Sequence, residues 1–132
     1  NDTSYGGVIA IFTRKALAGE DLQIFGTGEQ ERDYMSCHDA VEAYKLMMFK
    51  DSLGGQIINC GTGRTIKIID LAKKIIAISN SKSQIIHVAP RPGEVLRLCA
   101  GTQKIESIGF KSITDFDKDL KEYINWVCKE QQ

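Results

Sequence analysis

Two arginines stand in settings that suit the binding of phosphate. Arg32 follows a strand-like stretch and a glycine turn, and Arg91 lies between Pro90 and Pro92. Because proline restricts the backbone, the guanidinium of Arg91 is presented from a stiff loop. A guanidinium donates two parallel hydrogen bonds to phosphate oxygens, so two arginines on separate loops could clamp a diphosphate. The alternatives are that Arg32 pairs with a carboxylate close to it in sequence and that Arg91 is an exposed loop charge.

The motifs of a complete catalytic site are missing from this sequence. No Gly-x-Gly-x-x-Gly turn joins a strand to a helix, so there is no dinucleotide-binding fingerprint. The segment 61–65, Gly-Thr-Gly-Arg-Thr, lacks the Gly-Lys-Ser/Thr ending of a P-loop and is typical of a strand-to-helix turn. No Tyr-x-x-x-Lys pair occurs, and no Ser, Cys or Thr has a base at a recognisable spacing. We therefore expect neither catalytic nor cofactor-binding residues.

The cysteines, the histidines and the net charge argue against several other kinds of site. Four widely spaced cysteines predict reduced, mostly buried thiols in a cytoplasmic protein. Neither histidine lies at metal-ligand spacing, so no metal site is expected, and His38 is interpreted as a loop residue. A formal net charge of zero argues against a nucleic-acid surface and a polybasic membrane patch. No stretch approaches the length of a transmembrane helix.

Helix-like and strand-like segments alternate along the 132 residues. Apolar residues at helical spacing predict helices at about 7–18, 39–49, 67–78, 102–108 and from 114 onwards. Strand-like runs predict strands at 22–25, 56–60 and 84–88, and a further extended piece at 32–37. We expect Asp39 to cap the second helix and Thr114 to cap the last.

This alternation predicts an α/β fold, and the length suits a single domain over residues 1–132 with one modest core. The three or four expected strands are fewer than a doubly wound sheet normally contains. The sequence therefore predicts a small mixed α/β domain that lacks most of a larger sheet.

Six short motifs follow one another along the chain: Phe25-Gly26-Thr27-Gly28, Arg32-Asp33-Tyr34, Asn59-Cys60-Gly61-Thr62-Gly63, Leu71-Ala72, Arg91-Pro92-Gly93-Glu94 and Ile108-Gly109-Phe110. Their order resembles one family, the extended short-chain dehydrogenases/reductases that act as NAD-dependent nucleotide-sugar epimerases and dehydratases. Their C-terminal part carries aromatic-Gly-x-Gly, Arg-Asp-aromatic, Asn-x-Gly-x-Gly, Leu-Ala, Arg-Pro-Gly-Asp/Glu and Leu-Gly-aromatic in that order. Each motif alone is weak, but the ordered set covers essentially the whole chain.

The resemblance implies that this chain contacts the nucleoside diphosphate of a sugar substrate. It assigns two arginines to the phosphates, two residues of one strand to the nucleobase, and a helix start to backbone contacts with the nucleotide. Helix N-termini favour anions, which suits the last of these roles. The residues are, respectively, Arg32 and Arg91, Phe25 and Gln23, and Gly7 and Val8.

The catalytic half of the family has no counterpart in this sequence. Its glycine motif, Ser/Thr and Tyr-x-x-x-Lys pair all precede the matched region, so we expect a chain that is inactive alone and binds no cofactor, NAD being the family's cofactor. The chain also departs from the family pattern at Gly7, Lys67 and Gly101. The alternative is a standalone binding or oligomerisation module that pairs with itself or with a separate Rossmann chain.

Overall fold

The computed structural model describes residues 7–51 and 53–130, in which five helices alternate with five short strands. The helices are α1 Val8–Ala18, α2 Cys37–Phe49, α3 Ile68–Ile78, α4 Gln103–Ser107 and α5 Phe116–Glu130. The strands are β1 Leu22–Phe25, β2 Glu31–Arg32, β3 Ile66–Lys67, β4 Ile85–Val88 and β5 Arg97–Leu98. The predicted small mixed α/β fold is confirmed. Within these residues, no helix combines the length and the apolar character needed to cross a membrane.

The strands form two small sheets. Strands β1 and β4 pair in parallel, with Leu22 opposite Ile85 and Phe25 opposite Val88. Strand β2 lies at the centre of the second sheet, antiparallel to β3 and parallel to β5. Because parallel strands end at the same edge, the segment that follows Phe25 and the loop that follows Val88 meet at one place. Two motifs that are more than sixty residues apart in sequence are thereby brought together.

Helices α1, α3 and α5 bury their apolar stripes against β1 and against each other. The predicted stripes are confirmed, since their central residues are almost completely shielded from solvent. Each fully buried leucine or isoleucine contributes roughly 1.5–3 kcal/mol relative to an exposed one. The buried members of this main core are Phe12, Ala16, Leu22, Ile24, Leu71, Ala72, Ile75, Leu120 and Ile124.

A second, smaller cluster connects α2 with α4 and leaves much of α2 uncovered. Ala43, Ile105 and Phe110 are buried there. In contrast, the outward face of α2 exposes a row of large apolar side chains. We call this row the α2 face, and it consists of Val41, Tyr44, Met48 and Phe49.

The strand predicted at 56–60 was wrong. These residues form no strand in the structure, and Ile57 is 87% exposed. A run of β-branched residues becomes a strand only when a neighbouring strand supplies its hydrogen bonds, and the described residues offer none beside this segment. The extended piece expected at 32–37 is also shorter, because only Glu31–Arg32 pairs with other strands. Strands β3 and β5 were not predicted, and each holds just two residues.

Both predicted helix caps were wrong. The hydroxyl of Ser36 caps α2 by accepting a hydrogen bond from the backbone N–H of Asp39 at 3.1 Å, so Asp39 lies in the first helical turn. Helix α5 begins at Phe116, and the carboxylate of Asp115 accepts from the backbone N–H of Lys118 at 3.2 Å. The hydroxyl of Thr114 instead donates to Asp39 at 2.6 Å. A hydrogen bond therefore links the first turn of α2 to the segment that precedes α5.

The four cysteines are free, but the expectation that most are buried was wrong. Cys37 and Cys128 are exposed, and Cys60 and Cys99 are half-buried. His38, interpreted as a loop residue, belongs to the first turn of α2. Its position follows from the start of the helix at Ser36, three residues earlier than predicted.

Candidate functional site

The glycine turn after β1 is shaped to receive the loop at 89–94. Gly26 has a φ of 66°, and a Cβ added there would lie 3.4 Å from Cβ of Pro90. The backbone N–H of Gly26 donates to the carbonyl of Val88 at 2.9 Å. Nδ1 of His87 is 2.7 Å from the carbonyl oxygen of Gly26. A Cβ at Gly26 would be in ordinary van der Waals contact with Pro90, so it is the positive φ of Gly26 that favours glycine in this turn.

A buried glutamine links the glycine turn after β1 to the loop at 89–94. Gln30 is 6% exposed, and its Nε2 donates to the carbonyl of Phe25 at 2.7 Å and to Oε2 of Glu94 at 2.8 Å. A buried amide that bridges a carbonyl and a carboxylate holds both in place, because breaking either bond would leave a polar group unpaired. Sequence reasoning missed Gln30, which belongs to no motif by itself.

Phe25 and Arg91 are in direct contact. The guanidinium carbon of Arg91 lies 3.8 Å from the centroid of the Phe25 ring. A guanidinium over an aromatic face is attracted by the negative charge of the ring's π system. The stiff proline loop thus places its arginine on the aromatic residue that precedes the glycine turn.

Arg32 approaches the same loop from the second sheet. Its Nη1 donates to the carbonyls of Glu31 and Val95, each at 2.8 Å, and its Nη2 lies 3.8 Å from Oε1 of Glu94. The predicted alternative of a carboxylate close in sequence is wrong, since the partner is Glu94 on the loop that carries Arg91. Arg32, Phe25 and Arg91 therefore belong to one assembly, which Gln30 and Glu94 hold together.

Asp33 links the end of β2 to the turn at 61–63 by hydrogen bonds. Its carboxylate accepts from the backbone N–H of Thr62 at 3.0 Å, of Gly63 at 3.0 Å and of Ala100 at 3.2 Å, and from the hydroxyl of Thr62 at 2.6 Å. Burial raises the pKa of Asp33, but these hydrogen bonds outweigh it and hold the pKa below its ordinary value. A Cβ on Gly61 would lie 2.4 Å from Cβ of Ala100, so this turn requires glycine.

Two features of residues 7–51 and 53–130 bear on the binding of metal ions and of anions. No three His, Cys, Asp or Glu side chains gather in that part of the chain as a metal ion would require. The Gly-Thr-Gly turn at 61–63 directs backbone N–H groups at the carboxylate of Asp33. An anion-binding turn that already holds an internal carboxylate does not fit the pyrophosphate of a dinucleotide.

Arg32 also lines a cavity of about 430 Å³ on the side of the sheet that faces α5. We call it the arginine cavity. A wider apolar groove of about 660 Å³ begins at Gly7 and shares Tyr34, Thr114 and Phe116 with it. The charged residues that line the arginine cavity are Arg32, Arg64, Lys74, Asp115 and Asp117.

Tyr34 stands between the arginine cavity and the apolar groove. Its ring packs against Phe116, with centroids 5.8 Å apart, and its buried hydroxyl has no hydrogen-bond partner within residues 7–51 and 53–130. Burial raises the pKa of Tyr34 to about 12, although the positive charge of Arg32 opposes the shift. The hydroxyl therefore remains a proton donor at neutral pH.

The other expected site residues are less closely assembled. Gly7 is the N-cap of α1, no side chain of the described residues caps that helix end, and Gly7 lines the apolar groove. Val8 is half-buried and packs against the main core. Gln23 shares β1 with Phe25, and its side chain is exposed. The structure thus joins three of the six predicted residues directly and leaves three at the margins.

Comparison with known proteins finds similarity to one family. The family profile described as NAD dependent epimerase/dehydratase family matches residues 1–61. The UDP-N-acetyl-alpha-D-glucosaminuronate decarboxylase of Bacillus cytotoxicus is 34% identical over 132 aligned positions, which cover 95% of this chain and 41% of that protein.

Two solved structures share the fold. The UDP-glucose 4-epimerase of Thermotoga maritima with UDP-glucose matches with a TM-score of 0.88 and 32% identity, over 97% of this chain and 42% of that one. The UDP-N-acetylglucosamine 4-epimerase of Methanobrevibacter ruminantium in complex with UDP-N-acetylmuramic acid matches with a TM-score of 0.89 and 28% identity, over 98% and 41%. The chain spans about two fifths of the length of these relatives. In sequence and in fold, this chain is therefore similar to part of the length of proteins in the NAD-dependent epimerase/dehydratase family.

Proposed function

We propose that this chain is the substrate-binding part of a nucleotide-sugar epimerase or dehydratase and contacts the nucleoside diphosphate of the sugar. The observation that carries the proposal is the assembly of Arg32 and Arg91 around one loop, with the Phe25 ring against Arg91. Two guanidinium groups beside an aromatic side chain match a ligand that joins phosphates to a flat base. Relatives solved with UDP-glucose and with UDP-N-acetylmuramic acid support it.

In this proposal the two arginines neutralise the diphosphate, and the end of β1 lies along the nucleobase. Phe25 and Gln23 are the residues of β1 nearest that position. Gly7 and Val8 present backbone N–H groups at the start of α1, where the described residues provide no side-chain cap. Uncapped N–H groups at a helix start attract anions, so a phosphate or ribose oxygen could be held there.

We further propose that the chain alone is inactive and does not hold NAD, which serves the complete members of the family. The supporting observations are the Asp33 carboxylate in the glycine turn at 61–63 and the lack of a Tyr-x-x-x-Lys pair in the sequence. NAD, when bound in a complete enzyme, supplies hydride transfer. The residues of this chain then position the nucleotide. The four free cysteines suit a cytoplasmic location.

A thermal-shift panel of UDP, dTDP, CDP, GDP and NAD tests the proposal. A ligand at about one hundred times its dissociation constant stabilises the folded state by roughly 2.7 kcal/mol. We expect a pyrimidine diphosphate to raise the melting temperature and NAD to leave it unchanged.

Variants identify the residues responsible for the shift. Arg32→Ala and Arg91→Ala should each abolish it, whereas Arg14→Ala, which removes an exposed arginine of α1, should preserve it. A full shift in both site variants would contradict the proposal, and so would a shift with NAD that equals the shift with UDP.

A second candidate function rests on the α2 face. Met48 is 76% exposed and Phe49 is 81% exposed, and Ile57, in the segment 56–60 that forms no strand, is 87% exposed. Contiguous apolar surface of this kind marks interaction sites, so the chain could be a module that pairs with itself or with a separate Rossmann chain. Molar mass by light scattering at several protein concentrations tests the pairing with itself. A concentration-independent monomer that is unchanged by an added Rossmann chain would exclude this function.

A further inference from the structure

The side chain of Gln30 lies between two hydrogen-bond acceptors and donates to both. Its Nε2 is 2.7 Å from the carbonyl oxygen of Phe25 and 2.8 Å from Oε2 of Glu94. An amide nitrogen carries two hydrogens, and both are used here. Oε1 of Gln30, in contrast, is buried and has no partner in residues 7–51 and 53–130. The amide is therefore oriented by its nitrogen, which faces the carbonyl and the carboxylate.

Glu94 lies between two donors that hold it unequally. Nη2 of Arg32 is 3.8 Å from Oε1 of Glu94, which is about 1 Å longer than a hydrogen bond between charged groups. Gln30 is neutral, yet it reaches Oε2 at 2.8 Å. The amide thus keeps the carboxylate at hydrogen-bond distance from itself and beyond hydrogen-bond distance of the guanidinium.

Arg32 consequently keeps one edge of its guanidinium available to a ligand. Its Nη1 donates to the carbonyls of Glu31 and Val95, each at 2.8 Å, and these two bonds fix the plane of the group. Its Nη2 has no hydrogen-bond partner in the part of the chain that the structure describes. A phosphate oxygen that approaches Nη2 therefore meets an oriented donor and displaces no internal hydrogen bond.

Gln30 also holds both sides of the contact between Arg91 and Phe25. The turn that carries Arg91 ends at Glu94, whose N–H donates to the carbonyl of Arg91 at 3.4 Å. Gly93 has a φ of 74° in this turn. Gln30 bonds to the carbonyl of Phe25 and to the carboxylate of Glu94, so one amide fixes the aromatic residue and the end of the arginine turn.

We infer that Gln30 is a positioning residue for the diphosphate: by holding the carboxylate of Glu94, it keeps Arg32 from closing an internal ion pair in place of a phosphate. The inference rests on the proposed function, in which Arg32 contacts that phosphate. Without the amide of Gln30, the guanidinium of Arg32 remains as a donor to Glu94, and a movement of about 1 Å gives a charged hydrogen bond. Glu94 then competes with the phosphate for the same edge of the guanidinium.

Isothermal titration calorimetry of UDP with the 132-residue chain tests the inference. Gln30→Met keeps the length of the side chain and removes its amide, and it should weaken UDP binding about tenfold, the lower bound for a hydrogen bond to a charged group. Adding Glu94→Gln to the Gln30→Met chain removes the competing charge and should return the affinity to within about twofold of the wild type. A residue that merely supported the fold would not be rescued by this second change.

Gln84→Met is the matched control. Gln84 is exposed just before β4, and its Nε2 donates to the carbonyl of Lys82 at 3.2 Å. The same substitution there should leave the affinity for UDP unchanged, and a tenfold loss in this control would overturn the assignment to Gln30.

A crystal structure of the Gln30→Met chain gives a readout that needs no ligand. Nη2 of Arg32 and the nearer carboxylate oxygen of Glu94 should lie about 2.8 Å apart in it. A separation that stays at 3.8 Å would overturn the inference, because the amide of Gln30 would then not be what keeps the two groups apart.

The outcomes separate this inference from the proposed function. If UDP binding depends on Arg32 and Gln30→Met binds UDP as tightly as the wild type, the inference fails and the proposed function stands. If the double variant binds UDP as weakly as Gln30→Met alone, Gln30 acts through the fold rather than through Glu94, and the inference is again overturned. If the wild-type chain binds no pyrimidine diphosphate, the proposed function fails and the inference fails with it.

Discussion

Replacing Asp39 by asparagine tests how the chain joins its two helix starts. Asp39 is 1% exposed and accepts four hydrogen bonds from the segment 112–114, more than seventy residues away. The hydroxyls of Ser112 and Thr114 donate at 2.5 and 2.6 Å, and the N–H groups of Ile113 and Thr114 donate at 3.1 and 3.0 Å. Three of the four donors bond to Oδ2. An asparagine at this position would therefore place its amide oxygen at the site of Oδ2 and its amide nitrogen at the site of Oδ1.

The expected loss in the free energy of unfolding follows from this geometry. The asparagine amide would face the N–H of Ile113, donor against donor, which leaves that donor unpaired at a cost of roughly 1 kcal/mol or more. The other three bonds would lose their charge assistance and about half their strength. We therefore expect Asp39→Asn to lower the free energy of unfolding by about 3 kcal/mol. With a urea m-value of about 1.5 kcal/mol/M, the midpoint should fall by about 2 M.

Urea unfolding followed by circular dichroism measures this change, and Glu42→Gln is the control. Glu42 pairs with Lys45 at the exposed surface of the same helix, so its loss should cost less than about 0.5 kcal/mol. If Asp39→Asn changes the unfolding free energy by no more than the control does, the reasoning from the four hydrogen bonds is refuted.

The carboxylate of Asp39 also predicts that the stability of the fold depends on pH in the acid range. Burial raises the pKa of Asp39, but the hydrogen bonds from Ser112, Thr114 and Ile113 outweigh it and hold the pKa below its ordinary value of 3.8. Because the pKa is lowered by folding, the stabilisation is complete above about pH 4 and is lost as the pH falls through the folded-state pKa. The stability difference between the wild type and Asp39→Asn should therefore shrink below pH 4.

Two further changes probe the turn at 61–63 and the α2 face. Gly61→Ala should lower the free energy of unfolding by about 1–3 kcal/mol because its Cβ would lie 2.4 Å from Cβ of Ala100. Gly54→Ala meets nothing within 4 Å and should be neutral, and equal effects of the two changes in urea unfolding would contradict the steric argument. If the second candidate function holds, Phe49→Lys should weaken self-association measured by light scattering. Ile113→Lys, at an equally exposed apolar residue elsewhere, should not, and a loss in both would indicate a non-specific effect of charge.

Local periodicity was enough to predict the elements that carry the main core. Leu71, Ala72 and Ile75 recur at helical spacing, and this pattern is complete within a dozen residues. The strand 22–25 and the glycine turn after it are equally local. The predicted order of motifs also located Arg32, Phe25 and Arg91, which the structure joins at one loop.

The predictions from sequence were wrong where residues distant in sequence determine the local structure. Ser36 and Asp39 are both favourable N-cap residues and lie three positions apart. The carboxylate of Asp39 accepts hydrogen bonds from the segment 112–114, so Ser36 becomes the N-cap of α2. The segment 56–60 has strand composition but no strand beside it among the described residues. Gln30 contacts Glu94, which lies more than sixty residues away in sequence, and local sequence does not reveal this contact.

The position of Gln30 gives the two loops that it joins a built-in spectroscopic reporter. Both hydrogens of its side-chain amide are engaged, one by the carbonyl of Phe25 and one by the carboxylate of Glu94, and the residue is almost wholly buried. Amide hydrogens held in this way exchange with solvent only when the structure around them opens. The side-chain resonances of this single glutamine therefore follow the opening and closing of the loop that carries Arg91, in a nitrogen-15 spectrum and without any attached probe.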